Sequence, residues 1–214
     1  MNTTSPSTVQ ENVSMTDGQI DKATDVLRAS LRKHREEFKS DAAQQAITAK
    51  ELASDLLAVF RAHIERFSNL IVRIVGVNRT RTPEEALTAT GRKQYTNAEV
   101  VAAMPRGRGE QAKVVFFKPK KSAYDENGLI SDDNVAKEYE SRGLKPADPF
   151  SLCAVNETDP AFADTHPHAT HWKDVKGNWC YTAFDRWDDG ERLVNVGRND
   201  DDWDDYWWFA GLAI

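Results

Sequence analysis

All six tryptophans of the chain fall between Trp172 and Trp208, interleaved with aspartates, and the run closes as Arg198-Asn-Asp-Asp-Asp-Trp203-Asp-Asp-Tyr206-Trp207-Trp208-Phe209-Ala-Gly211. Successive side chains of a strand point to opposite faces, so indole alternating with carboxylate suits a sheet with one packed face and one face of polar acceptors. From Thr170 onward the hydrophobic period is two. Residues 172–174, 178–187, 191–198 and 206–212 are expected as strands. Turns at Lys176-Gly177 and Asp188-Asp189-Gly190 and a loop over residues 199–205 separate them. The expected result is an antiparallel meander in which Trp179, Tyr181 and Ala183 share one face and Cys180, Thr182 and Phe184 the other.

The chain ahead of this run is of a different kind. Residues 1–14 are rich in Ser, Thr and Asn and are expected as a disordered tail. Over residues 15–68, Ile20, Ala23, Leu27, Leu31 and Phe38 recur at helical spacing, then Ala46, Leu52, Leu56, Phe60 and Ile64 do so after a cap at Ser40 or Asp41. This reads as a helical hairpin. In residues 69–121 the β-branched stretch Leu70 to Val77 suggests a strand. Thr82-Pro83-Glu84-Glu85 forms a capping box, and Thr96-Asn-Ala-Glu99 opens a second short helix. Lys113 to Lys118 suggests a strand stopped by Pro119. In the C-terminal segment 122–214, Ser131 to Arg142 is expected as a helix ending at Gly143, and Asp148-Pro149 starts another.

The net charge of -6 conceals an asymmetry. Lys plus Arg against Asp plus Glu is 9 against 10 in residues 1–68, 11 against 4 in 69–121 and 8 against 20 in 122–214, so the segments carry -1, +7 and -12. The basic residues Arg73, Arg79, Arg81, Arg92, Lys93, Arg106, Arg108, Lys118, Lys120 and Lys121 offer one surface for nucleic acid. No stretch reads as a transmembrane helix or a secretory signal, so no membrane partner is expected and the cytoplasm is the expected location. Cys153 and Cys180 are expected as buried thiols rather than a disulfide.

No catalytic motif of high specificity occurs, and no cofactor is expected. His166-Pro-His168-Ala-Thr-His171 places three imidazoles within six residues, and the aspartates follow closely. Together they are the candidates for a metal-dependent hydrolase or nuclease. The plain alternative is loop histidines and a solvated acidic loop.

The C-terminal segment, with Gly143-Leu-Lys-Pro-Ala-Asp-Pro-Phe150, Ala154-Val-Asn-Glu-Thr-Asp-Pro-Ala-Phe162 and Trp207-Trp-Phe-Ala-Gly211, resembles an uncharacterised bacterial family with a Trp-rich C-terminus. Its last 40 or so residues also resemble the variable region of C-type-lectin-like target proteins of diversity-generating retroelements. In those proteins mutagenesis of Asn codons produces clusters of Asn, Asp, Tyr, Gly and Ser on a rigid lectin-like sheet. Asn195, Gly197, Asn199, Asp200, Asp201, Asp202, Asp204, Asp205 and Tyr206 match that palette, with Trp203, Trp207, Trp208 and Phe209 as the implied fixed frame. In place of the usual Gly-Phe-Arg this chain ends Ala210-Gly-Leu-Ala-Ile214. The expected class is α+β, a helical hairpin followed by short helices and a Trp-rich antiparallel sheet. The expected role is non-enzymatic binding of a protein or glycan through Asn195, Arg198, Asn199, Asp200, Asp202, Trp203, Asp204 and Tyr206.

Overall fold

A computed structural model describes residues 14–65 and 69–214. The polar tail expected over residues 1–14 therefore lies, but for Ser14, outside the described residues, as does the end of the second expected helix. The chain divides into two compact units at residues 67 and 68, and both helices and a mixed sheet are present, an α+β protein.

The N-terminal unit is helical. Thr16 caps α1 (Asp17–Lys33) with a complete capping box, its hydroxyl accepting from the Gln19 amide while Gln19 Oε1 accepts from the Thr16 amide. A 3-10 turn (Arg35–Glu37), α2 (Ser40–Thr48) and α3 (Leu52–Glu65) follow. The backbone is extended at Lys39 and again at Ala49, so two long helices become three. Thr48 explains the second break in part, because its hydroxyl donates back to the carbonyls of Gln44 and Gln45. The apolar positions at helical spacing are not buried within the unit: Leu27, Leu31, Leu56 and Phe60 are 42%, 53%, 43% and 37% exposed. Helices α1 and α2 bury no residue at all.

Residues 69–121 and 122–214 build one unit around a shared sheet. In chain order its elements are β1 (Leu70–Gly76), α4 (Pro83–Ala89), β2 (Lys93–Thr96), α5 (Ala98–Ala102), β3 (Gln111–Phe117), β4 (Leu129–Ile130), α6 (Asp132–Glu140) and β5 (Leu144–Pro146). Then come α7 (Pro149–Thr158), α8 (Phe162–Thr165), β6 (His168–Lys173), β7 (Trp179–Arg186), β8 (Arg192–Arg198), β9 (Trp203–Asp204) and β10 (Trp208–Ala213). Local chemistry sets several boundaries. Thr82 and Glu85 form the capping box of α4, Asn97 rather than Thr96 caps α5, and Asp148 caps α7 with Pro149 in the first turn.

The strand order is β1-β3-β10-β6-β7-β8-β2, with β5 also beside β10, and β4 and β9 form a separate pair. Strands β6, β7 and β8 run antiparallel in sequence. The last strand leaves that succession: β10 lies parallel to β6 and antiparallel to β3, and β2 lies parallel to β8. The segment expected as a basic linking region thus supplies three strands of the same sheet as the Trp-rich segment.

Both faces of the sheet's centre are buried, which departs from a sheet with one packed face and one polar face. On one face α4, α5, α7 and α8 pack Leu87, Val101, Leu152, Val155 and Phe162 over Val114, Phe116, Phe184 and Val194. On the other, Val135 and Tyr139 of α6, with Ile130 and Trp203, cover Phe117, Phe209, Ala169 and Ala183. The β10–β5 contact is close: a Cβ added at Gly211 would stand 3.1 Å from Leu144 Cβ and 3.2 Å from the Lys145 carbonyl oxygen. Gly211→Ala is therefore expected to cost about 1 to 3 kcal/mol by overpacking, read as a lower denaturation midpoint at unchanged m-value. An unshifted midpoint would mean that β5 moves aside freely.

Candidate functional site

The helix cap at Ser131 places Asp132 in the first turn of α6, facing the end of β6 and the chain after β8. Its carboxylate is buried and joins three distant segments. Oδ1 accepts from His171 Nδ1 at 2.6 Å and from Trp203 Nε1 at 2.9 Å, and Oδ2 accepts from Asn199 Nδ2 at 2.7 Å. Burial opposes ionisation of Asp132, but the hydrogen bonds from His171, Trp203 and Asn199 outweigh it and hold the carboxyl below its ordinary range. His171 stacks on Trp179 with centroids 4.4 Å apart and planes 14° apart, and its Nε2 has no hydrogen-bond partner. At 1% exposure the imidazole is closed to a substrate. The dyad is an anchor, not a proton relay.

Trp203, held by Asp132, meets Phe209, Trp207 and Tyr181 edge-on at 5.4, 5.5 and 5.4 Å. Around this frame the chain is exposed: Asp200, Asp201, Asp202, Asp204, Asp205 and Tyr206 face solvent, while Trp208 and Phe209 are buried. The frame touches the sheet face at Tyr181, and along that face burial declines toward β2. One row of register partners runs Phe117, Phe209, Ala169, Ala183, Asn195, Tyr95. Its first four members are buried, Asn195 is half-buried and Tyr95 is exposed. Beside this row are half-buried Tyr181 and Asp185, with Trp187 against Tyr95 at 5.3 Å. Burial and the charge of Asp200 raise the Tyr181 pKa, and burial with Asp185 and then Asp204 raises that of Tyr206. The loop carboxylates therefore lie near the tyrosines of the face.

Not every residue expected at this surface lies there. Asn195, Asp200, Asp202, Asp204 and Tyr206 do. Asn199 and Trp203 are turned inward to Asp132. Arg198 pairs in register with Cys180, whose side belongs to the opposite core, and its guanidinium reaches Glu99 at 3.1 Å and Asp174 at 3.6 Å. The strand period of two explains this: Arg198 is three residues from Asn195. Tyr181, Asp185 and Tyr95 were missing from the expected set. Alternation marks Tyr181 and Asp185 as facemates, but nothing local pairs β2 with β8.

The three histidines do not converge. His168 sits in one core between Phe116, Phe162 and Phe184, with Nε2 2.9 Å from Asn156 Nδ2 and Nδ1 2.8 Å from the His166 carbonyl oxygen. His171 lies on the other face, and His166 stacks on Phe162 and bonds Thr165. Odd and even strand positions separate the first two. Among the described residues no group of three or more His, Cys, Asp or Glu is placed to hold a metal ion.

Most of the basic stripe is engaged internally. Arg79 grips Asp148 and Ser151, and Gly107, at φ +69°, leaves room for that carboxylate. Arg81 pairs with Glu157 and Lys93 with Glu191. Arg92 is buried on the carbonyls of Asp185 and Pro160, and Arg106 donates to those of Arg79 and Arg81. Phe116 and Phe117 are core, and both cysteines are buried free thiols.

Comparison with protein families, curated proteins and solved structures gives no match. No described helix is long and apolar enough to cross a membrane.

Asp132→Ala would strand the buried donors of His171 and Trp203 and the half-buried amide of Asn199, and is expected to cost about 3 to 5 kcal/mol. Because the folded pKa of Asp132 is depressed, its contribution is complete above the unfolded value of about 3.9 and is lost as pH falls through the folded value. Urea midpoints below about pH 4 should therefore fall more steeply for the wild type than for Asp132→Asn. Burial pushes His168 down to about 3. Its contribution is complete above the unfolded value of about 6.5 and is lost on acidification from there, with a slope of at most about 1.4 kcal/mol per pH unit. His168→Gln should flatten the stability profile between these values, and an unchanged slope would place the imidazole in water.

Proposed function

We propose that the C-terminal unit is a non-enzymatic recognition module that binds a protein or glycan through the half-buried and exposed side chains Tyr181, Asp185, Asn195 and Tyr95 of its sheet face and the loop of residues 199–206. The observation that carries this reading is the division of labour within a few residues. Trp203, Trp208 and Phe209 are buried and Trp203 is locked by Asp132, whereas the side chains of Asp200, Asp201, Asp202 and Asp204 make no hydrogen bond or ion pair among the described residues. Surface side chains without internal partners contribute little to stability, so they are free to serve a ligand. Tyr181, Tyr206, Tyr95 and Trp187 add amphipathic rings of the kind that anchor interfaces. The same division suits the diversified surface implied by the resemblance to retroelement target proteins. Asn195, Asp200, Asp201, Asp202, Asp204, Asp205 and Tyr206 would vary, while Asn199 and the indoles would hold the frame.

Two measurements test it. Replacing Asp200, Asp202, Asp204 and Tyr206 together by Ser should change stability by under about 1 kcal/mol, whereas Trp208→Ala should cost about 3 to 5 kcal/mol. The 214-residue chain screened on a glycan array and a displayed-protein library should yield a ligand whose binding the quadruple variant loses at unchanged stability. Equal binding by that variant would refute the site. Diversification further requires a neighbouring reverse-transcriptase gene and an imperfect repeat of the stretch encoding residues 195–209, and their absence would end that part of the reading.

A further inference from the structure

The N-terminal unit leaves apolar surface in water that its own helices do not cover. Along α1, Ile20, Ala23, Thr24, Leu27, Leu31 and His34 fall on one stripe at about 100° per residue, and Ile20, Leu27 and Leu31 are exposed. Helix α3 adds exposed Leu56, Leu57, Val59, Phe60 and Ile64. Stripes of this extent mark interfaces. The charges beside the stripe of α1 say what covers it. Asp17 and Asp21 in the first turns, and Arg28 and Arg32 in the last, lie on the same flank at that angular period. A second α1 laid parallel would set this flank against the opposite flank of the other helix, where Gln19, Val26 and Ser30 lie and offer no complementary charge. Laid antiparallel, it brings Asp17 and Asp21 alongside Arg32 and Arg28 of the other helix and sets Ile20 beside Leu31. Arg28 is already held by Asp25 within its own helix at 2.5 Å, so Arg32 is the freer partner. An anionic membrane is a poorer occupant, because residues 14–65 carry 8 Lys and Arg against 9 Asp and Glu, a net charge of -1.

We propose that α1 pairs antiparallel with α1 of a second copy of this chain, making the protein a dimer built on its N-terminal unit. The inference is independent of what the C-terminal unit binds. Light scattering of the full chain at tens of micromolar should give twice the 24.1 kDa chain mass. Leu27→Asp with Leu31→Asp should weaken association at least about a hundredfold, since charges would be buried in the seam. All six tryptophans lie in the C-terminal unit, so an unchanged near-ultraviolet tryptophan spectrum shows that unit intact, and unchanged far-ultraviolet ellipticity of the variant shows that its helices persist, which separates lost pairing from misfolding. Orientation is read by cross-linking, with Cys153 and Cys180 buried and out of reach. Thr24→Cys, near the two-fold axis, should form an intersubunit disulfide. Asp17→Cys should not, because the two copies of residue 17 would stand about 25 Å apart. A monomer at these concentrations, an unchanged mass in the double variant, or ready self-cross-linking of Asp17→Cys would each overturn the proposal.

Discussion

One buried carboxylate ties the C-terminal unit together at the place where its strands cease to be consecutive. Asp132 accepts hydrogen bonds from His171 on β6, from Trp203 on β9 and from Asn199 in the segment that follows β8. An ionised carboxylate out of water costs several kcal/mol unless its lone pairs are satisfied. Three donors from three segments satisfy them, and the cost becomes a constraint, because none of the three can move without stranding the charge. The acidic loop is exposed and yet fixed at both of these points. A surface that presents many polar side chains on a rigid base needs this arrangement, since order in the loop then does not depend on the exposed residues themselves.

The second constraint is the placing of β10 between β3 and β6. A strand buried at the middle of a sheet has both faces covered, and Trp208, Phe209, Ala210 and Gly211 are all buried. Phe209 and Phe117 meet beneath Tyr139, whose hydroxyl donates to the Ala210 carbonyl oxygen at 2.9 Å. Gly211 admits β5 on one side because it has no Cβ. The aromatic run is thus divided by the strand period: Trp208 enters one core and Phe209 the other, while Tyr206 stays in solvent. Toward β8 and β2 the same face grades outward: Ala183 and Leu193 are buried, Tyr181, Asp185 and Asn195 half-buried and Tyr95 exposed.

Sequence alone determined what depends on neighbours in the chain. The capping boxes at Thr16 and Thr82, the Asp148-Pro149 start, the stop at Gly143, the turns at Gly177 and Gly190 and the facial alternation of β7 are local hydrogen-bond and steric effects. Exposed aspartates over buried Trp208 and Phe209 were legible for the same reason. Tertiary structure alone decided the parallel pairings of β10 and β2, the separation of His168 from His171 into opposite cores, the inward turn of Asn199 and Trp203, and the internal use of the basic stripe. Each depends on partners dozens of residues away: Asp132 lies 39, 67 and 71 positions from His171, Asn199 and Trp203. Such pairings are chosen by which arrangement buries the most apolar surface while leaving no charge without a partner, and that comparison is made across the whole unit, not within any window of the chain.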